Sequence, residues 1–103
     1  MKKKTFDLAS MHQSAEQACR LMKVLSNSDR LMLLCQLTEG EKCVSELEAL
    51  LGIVQPTLSQ QLGVLRNEGL VNTRREGKII YYEISSPEAL AVMHVLYANF
   101  CNA

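Results

Sequence analysis

Four sulfur atoms could do chemistry in this chain, those of Cys19, Cys35, Cys43 and Cys101. Cys35 lies in an apolar run, LMLLCQLTEG (residues 31–40), and Cys101 sits in LYANFCNA at the other end of the sequence. In a secreted chain four cysteines suggest disulfides. In a cytoplasmic one they mean metal binding, redox chemistry or packing. No two of them form a C-x-x-C or C-x-C pair, the close spacing from which a zinc site usually starts. A buried cysteine serves as a small hydrophobe as readily as a reactive thiol, so residue type leaves Cys35 open between core filler and working group. No recognisable motif sets a His or Arg beside a cysteine as an activating partner, which argues against a thiol enzyme.

A second set of residues could read nucleic acid. The stretch IVQPTLSQQLGVLRNEGLV presents Gln55, Thr57, Ser59, Gln60 and Gln61 with no acid among them. A solvated helix face normally mixes Glu with Lys. A face of Gln, Thr and Ser suits base edges better, because Gln pairs bidentately with adenine and Ser or Thr can donate or accept. Farther on, LVNTRREGKIIYYEIS carries Arg74, Arg75 and Lys78 around a glycine turn. A basic hairpin just after such a helix fits a wing that lies on the phosphate backbone or enters the minor groove.

These groups need elements to position them. Leu8, Met11, Ala15, Ala18, Met22 and Leu25 recur at steps of three and four, so the pattern predicts a helix over 8–25 with a narrow apolar seam. That seam fits a partner helix, either within the fold or across a dimer. Asn27, Ser28 and Asp29 are good caps for a second helix, RLMLLCQLTE, apolar on most sides and therefore expected to be buried, with Gly40 as its stop. A third helix runs over VSELEALLG with Leu47, Leu50 and Leu51 inward. Pro56 suits the first turn of a fourth, over 56–68, with Leu58, Leu62 and Leu65 as the buried stripe. Two helices joined by about three residues make a helix-turn-helix. Val71, Thr73 and the run from Ile79 to Ile84 are strand formers around REGK, which gives a hairpin. Pro87 opens a last helix, PEALAVMHVLYANFC, with two apolar faces, one for its own core and one for a second subunit.

The chain has 103 residues, so we expect one domain over 1–103, with 1–8 as a tail. At this size a domain is often marginal alone, which favours oligomers. No apolar run approaches the roughly 18 residues that span a bilayer, and the Lys-rich start has no apolar segment behind it. We expect a cytoplasmic protein without a membrane partner. Net charge is zero, an argument against binding phosphates, but the distribution softens it. Residues 39–48 hold four Glu against one Lys, whereas 53–82 carry Arg66, Arg74, Arg75 and Lys78 against Glu68 and Glu76, a local +2.

This order of elements, and the phrases LSNSDRLMLLCQLTEGE, VSELEALLGIVQPTLSQQLGVLRNEGLV and TRREGKIIYYEI, resemble the ArsR family of bacterial winged-helix repressors over nearly the whole chain. The resemblance implies a mainly α fold with a small β-hairpin, a winged helix-turn-helix in a homodimer joined through the first and last helices. The dimer contacts then fall on Met11, Ala15, Ala18, Met22, Met93, Leu96, Tyr97 and Phe100. It also implies binding to an inverted repeat in double-stranded DNA, released by an inducer, and no enzymatic activity. Metal-sensing members carry E-L-C-V-C-D-L where this chain has EKCVSEL, so Cys43 matches the first thiol and Ser45 replaces the second. The last-helix metal site of the family needs paired Asp and His, and here only Glu88 and His94 are present, with His94 expected to be a half-buried packing residue. No resident metal and no cofactor are expected.

One subgroup of the family resembles this chain more closely. It carries one cysteine in the second helix and another near the end of the last, the places of Cys35 and Cys101. Its members use the pair as a switch, which oxidants or reactive sulfur species close through a disulfide or a longer sulfur chain. A direct disulfide needs the two α-carbons within about 7 Å. Bridging the second helix to the last would tie the DNA-reading half to the dimer half and shift two recognition helices that must match half-sites about 34 Å apart. The alternative keeps DNA binding but makes the inducer a thiophilic metal or arsenite, held by Cys43 with Cys19 or another thiol. A winged-helix module for protein interaction alone is disfavoured by the Gln, Thr and Ser face.

Overall fold

The computed structural model describes residues 7–101. The elements are α1 (Leu8–Leu25), α2 (Ser28–Leu37), β1 (Lys42–Cys43), α3 (Val44–Leu51), α4 (Thr57–Asn67), β2 (Val71–Glu76), β3 (Ile79–Ile84) and α5 (Pro87–Leu96), the last running into a π-helical turn over Tyr97–Cys101. This is the winged helix-turn-helix that the residue pattern implied, with one addition. The hairpin β2–β3 gains a third, antiparallel strand, so the sheet order is β1-β3-β2, with Lys42 opposite Tyr82 and Cys43 opposite Tyr81.

Local chemistry sets the helix ends. Asp7 caps α1 by accepting from the Ser10 amide at 2.7 Å, Asn27 caps α2 from Arg30 at 3.0 Å, and Ser86 caps α5 from Ala89 at 3.1 Å. Each satisfies an amide that the helix itself leaves without a partner. α3 begins instead at Cys43, whose own amide donates to Glu46 Oε1 at 2.9 Å. Gly52 ends α3 at φ +69, a left-handed conformation that glycine adopts without strain. The wing turns in two residues, Gly77 and Lys78, with Gly77 at φ +64 and Glu76 paired to Ile79 across it.

The core is almost entirely leucine. Leu33, Leu34, Leu47, Leu58 and Leu65 are fully buried, and Leu25, Leu37, Leu62, Leu70, Val71, Ala89 and Met93 close around them. The helical stripe Leu58, Leu62 and Leu65 thus packs inward as its spacing requires.

Several sequence expectations change. Leu50 is not inward: it is 56% exposed, because α3 turns only Leu47 fully to the core. α2 is not dry on all sides, since Met32 stays exposed. His94 is exposed rather than half-buried. Met93 is 5% exposed inside the protomer's own core, which leaves little of its side chain for a second subunit. The α-helical hydrogen-bond pattern of α5 stops at Leu96 and widens into the π turn.

α1 is the exception to burial. From Leu8 to Arg20 every residue is exposed, and only Val24 and Leu25 enter the core. The radius of gyration is 15.7 Å, against about 13 Å for a compact domain of 100 residues. The excess reflects helices that project without an intramolecular partner.

Leu62→Ala, in the packed stripe of α4, is expected to lower unfolding stability by about 2–5 kcal/mol in urea titrations. Leu50→Ala, on the outer face of α3, should cost less than about 1 kcal/mol.

Candidate nucleic-acid interface and thiol pair

Four of the five candidate readers lie on α4 and Gln55 just before it, and the structure divides them. Gln55 turns its carbonyl oxygen back to the first turn of α4, accepting from the Ser59 amide at 3.1 Å and from Ser59 Oγ at 2.7 Å. It works as an external cap, since Pro56 offers no side-chain hydrogen bond at that end. Gln61 is half-buried and accepts from Arg30 Nη1 at 2.8 Å. Gln60 and Ser59 are exposed and Thr57 is half-exposed; among the described residues no hydrogen bond engages the side chain of Gln60 or Thr57. The side chains left free on this face are therefore Thr57 and Gln60, with Ser59 and Gln55 bonded to each other beside them and Gln61 behind.

The wing cations also divide. Arg74 lies over the Tyr81 ring at 4.5 Å from its centroid. Its Nε donates to both carboxylate oxygens of Glu41, at 3.1 and 2.9 Å, and Nη1 to Glu76 Oε2 at 2.9 Å. Its pKa is raised above the usual arginine value by these two acceptors, and that of Glu41 is lowered by Arg74. Arg74 is therefore a brace between β2 and the segment leading to β1, with its charge already answered. Arg75 and Lys78 are exposed, and among the described residues no ion pair engages them. They are the wing cations open to a phosphate. Sequence reasoning grouped all three, because Glu41 lies 33 residues before Arg74 and carries no local signal.

The thiols are all free. Cys19 is exposed on α1; Cys43 is half-buried where β1 meets α3, its Sγ 3.2 Å from Ser45 Oγ. Among the described residues no three His, Cys, Asp or Glu side chains gather around a common point that could hold a metal. Cys35 lies on the partly covered face of α2, and Cys101 is exposed at the end of the π turn. Burial pushes the Cys35 thiol pKa up, and the charges of Cys101 and Glu39 push it further. The folded value thus lies above the unfolded one. The stability this proton supplies is complete below the unfolded thiol value of about 8.5 and is lost as pH rises through the raised folded value. At neutral pH Cys35 is held as a thiol, not a thiolate, which slows its attack on electrophiles.

A cleft of about 730 Å³ runs between α1 and the corner from α4 to β2, bordered by Arg20, Leu21, Glu68 and Ser86. None of the four cysteines and none of the candidate readers line it. The site residues that residue types did not single out are Arg30, Glu41, Glu39 and Tyr81. Each acts through a partner distant in sequence or through a charge felt across space.

Comparison with known proteins gives a consistent picture. Residues 27–73 match the profile described as bacterial regulatory protein, arsR family. The biofilm growth-associated repressor of Agrobacterium fabrum is 51% identical over 94 residues, 91% of this chain and 80% of that protein. The crystal structure of the transcriptional repressor BigR from Xylella fastidiosa superposes with a TM-score of 0.85 at 47% identity, covering 95% of this chain and all of that one. The homodimeric winged helix-turn-helix DNA-binding domain from Mycobacterium bovis, described as a possible ArsR-family regulator, superposes at 0.72 with 29% identity, over 96% of this chain and 89% of that one.

Two outcomes are expected. In iodoacetamide alkylation of the reduced protein, Cys101→Ser and Glu39→Gln each lower the pH of half-maximal rate at Cys35, because each removes a negative charge that opposes ionisation. In duplex DNA titrations against salt, Arg75→Ala and Lys78→Ala each reduce the slope of log K on log[salt] by about one, whereas Arg74→Ala reduces it by less.

Proposed function

Because the chain belongs to the ArsR family of bacterial regulatory proteins, we propose that it is a homodimeric transcriptional repressor in the cytoplasm that leaves its inverted-repeat operator when reactive sulfur species or oxidants bridge Cys35 to Cys101. The family is one of DNA-binding regulators, not enzymes. What supports the proposed trigger is the packing of α2, which carries Cys35, against α5, whose continuation carries Cys101, together with the charge of Cys101 felt at Cys35.

Two routes close the bridge. With peroxide, one thiolate attacks an oxygen and gives a sulfenic acid and water. The second thiol then displaces a second water and forms a disulfide, so the two sulfurs lose the two electrons that peroxide gains. With an organic trisulfide, one thiolate attacks the central sulfur and releases a thiol. The second cysteine attacks the same sulfur and releases another, which leaves a three-sulfur bridge. Of the pair, Cys101 is the exposed sulfur, and the raised pKa of Cys35 favours it as the resolving partner.

Such a bridge would act where it matters. Cys35 lies on α2, which packs against α4, while Cys101 ends the segment that follows α5. Closing it would join the support of the recognition helix to the candidate dimer helix, a two-state element of the kind allostery needs. A homodimer is supported by the apolar surface left open on α1 (Leu8, Met11, Met22) and at and beyond the end of α5 (Val95, Tyr97, Phe100, the last 81% exposed). Ala15 and Ala18 lie exposed between the methionines of α1, and Leu96 is half-buried beside this surface. Thr57, Ser59 and Gln60 then read bases, and Arg75 and Lys78 hold phosphates.

The test is peptide mass spectrometry of protein treated with an organic trisulfide and, separately, with peroxide, alongside a DNA-release assay. A Cys35–Cys101 crosslink in step with release is expected, and Cys35→Ser or Cys101→Ser should abolish both. Release that persists in both variants would sink the switch while leaving the repressor reading intact.

A further inference from the structure

Arg30 joins three helices with one side chain. It stands in the first turn of α2, where its amide is capped by Asn27. Its Nε donates to the Val24 carbonyl at 2.6 Å, and Nη2 reaches the Lys23 carbonyl at 3.5 Å. Both carbonyls belong to the last turn of α1, where the helix dipole favours a cation; the Lys23 carbonyl also accepts from the Ser26 amide at 3.3 Å. The remaining arm, Nη1, donates to Gln61 Oε1 at 2.8 Å on α4. Gln61 sits half-buried beside Leu62, so this hydrogen bond is partly shielded from water.

We propose that Arg30 is a positioning residue for the recognition helix, setting the angle of α4 against α1 through Gln61. The inference rests on the reading of the protein as a dimer on an inverted repeat. If α1 lies in the dimer seam, its angle to α4 fixes how far apart the two recognition helices stand, and the two-fold axis doubles any change. Half-sites about one DNA turn apart, near 34 Å, would register such a change directly. Only a planar guanidinium can serve the α1 carbonyls and Gln61 in fixed directions at once, whereas a lysine ammonium is a single point of charge. Gln61 therefore contributes to DNA recognition from behind, holding α4 in place instead of touching a base.

The experiment uses the full chain and an inverted repeat selected by the wild-type protein from a random duplex pool. Affinity is then measured on that duplex and on two others with the central spacer one base pair shorter or longer. Wild-type protein should show a sharp optimum. Arg30→Lys and Gln61→Met, which cut the joint from opposite ends, should each weaken binding at the optimal spacing by about tenfold, with little change at the other two and the same base preference within each half-site. The double variant should be no worse than either single one. An equal loss at all three spacings, or an unchanged profile, overturns the proposal and leaves the repressor reading standing. A changed preference at one base of the half-site also overturns it, and returns Gln61 to direct reading. A wild-type protein that selects no inverted repeat overturns the dimeric repressor reading and this proposal with it.

Discussion

Leu33 and Leu34 are fully buried, and around them α2 packs on α1, α3, α4, α5 and β3 together. Removing apolar area from water contributes about 1.5–3 kcal/mol for each such side chain. β3 touches as many partners, but α2 does so through fully buried leucines, so α2 is where a local change becomes a global one. Cys35 lies on the rim of this element, half-buried and covered enough to raise its pKa. Core and candidate switch are successive residues of one helix.

Polar contacts do a different task here. Among the described residues no buried side-chain polar atom lacks a partner, and no polar residue is itself buried. Hydrogen bonds therefore orient elements whose burial is already decided by leucine. Gln55 closes the start of α4, Asn27 the start of α2, and Glu41 with Tyr81 steadies Arg74 on the wing. Exposed ion pairs are worth little in stability. Their value lies in choosing which cations remain open, and Arg74 is withdrawn from the set that Arg75 and Lys78 make up.

Much of this was legible in the residues. The three-and-four spacing of leucines located α4 and its buried stripe, the caps located the start of α2, Pro87 that of α5, and Gly77 the wing turn. What escaped had no local signal. β1 is two residues long, too short for any periodicity, and exists because Tyr81 and Tyr82 offer it an edge. Leu50 looks inward by type but falls on the outer side of an eight-residue helix, where one register step decides burial. The partition of Gln55, Gln61 and Arg74 away from open presentation depends on Ser59, Arg30 and Glu41, two of them more than thirty residues distant. Residue type names candidates for recognition; only tertiary contacts say which are already engaged.

The bare length of α1 carries a further consequence. Thirteen consecutive residues, from Leu8 to Arg20, stay exposed, with an exposed Arg20–Glu68 ion pair as a tie to the rest of the chain, and an isolated helix of that length is marginal in water. Were a second copy to cover them, as in the proposed homodimer, folding and association would become one equilibrium, and the midpoint of thermal unfolding would rise with protein concentration. Abundance in the cell would set two quantities together, the fraction of operator occupied and the fraction of chains that keep α1 folded at all. A regulator built this way would be scarce and unstable in the same moment, and newly made copies would reinforce those already present.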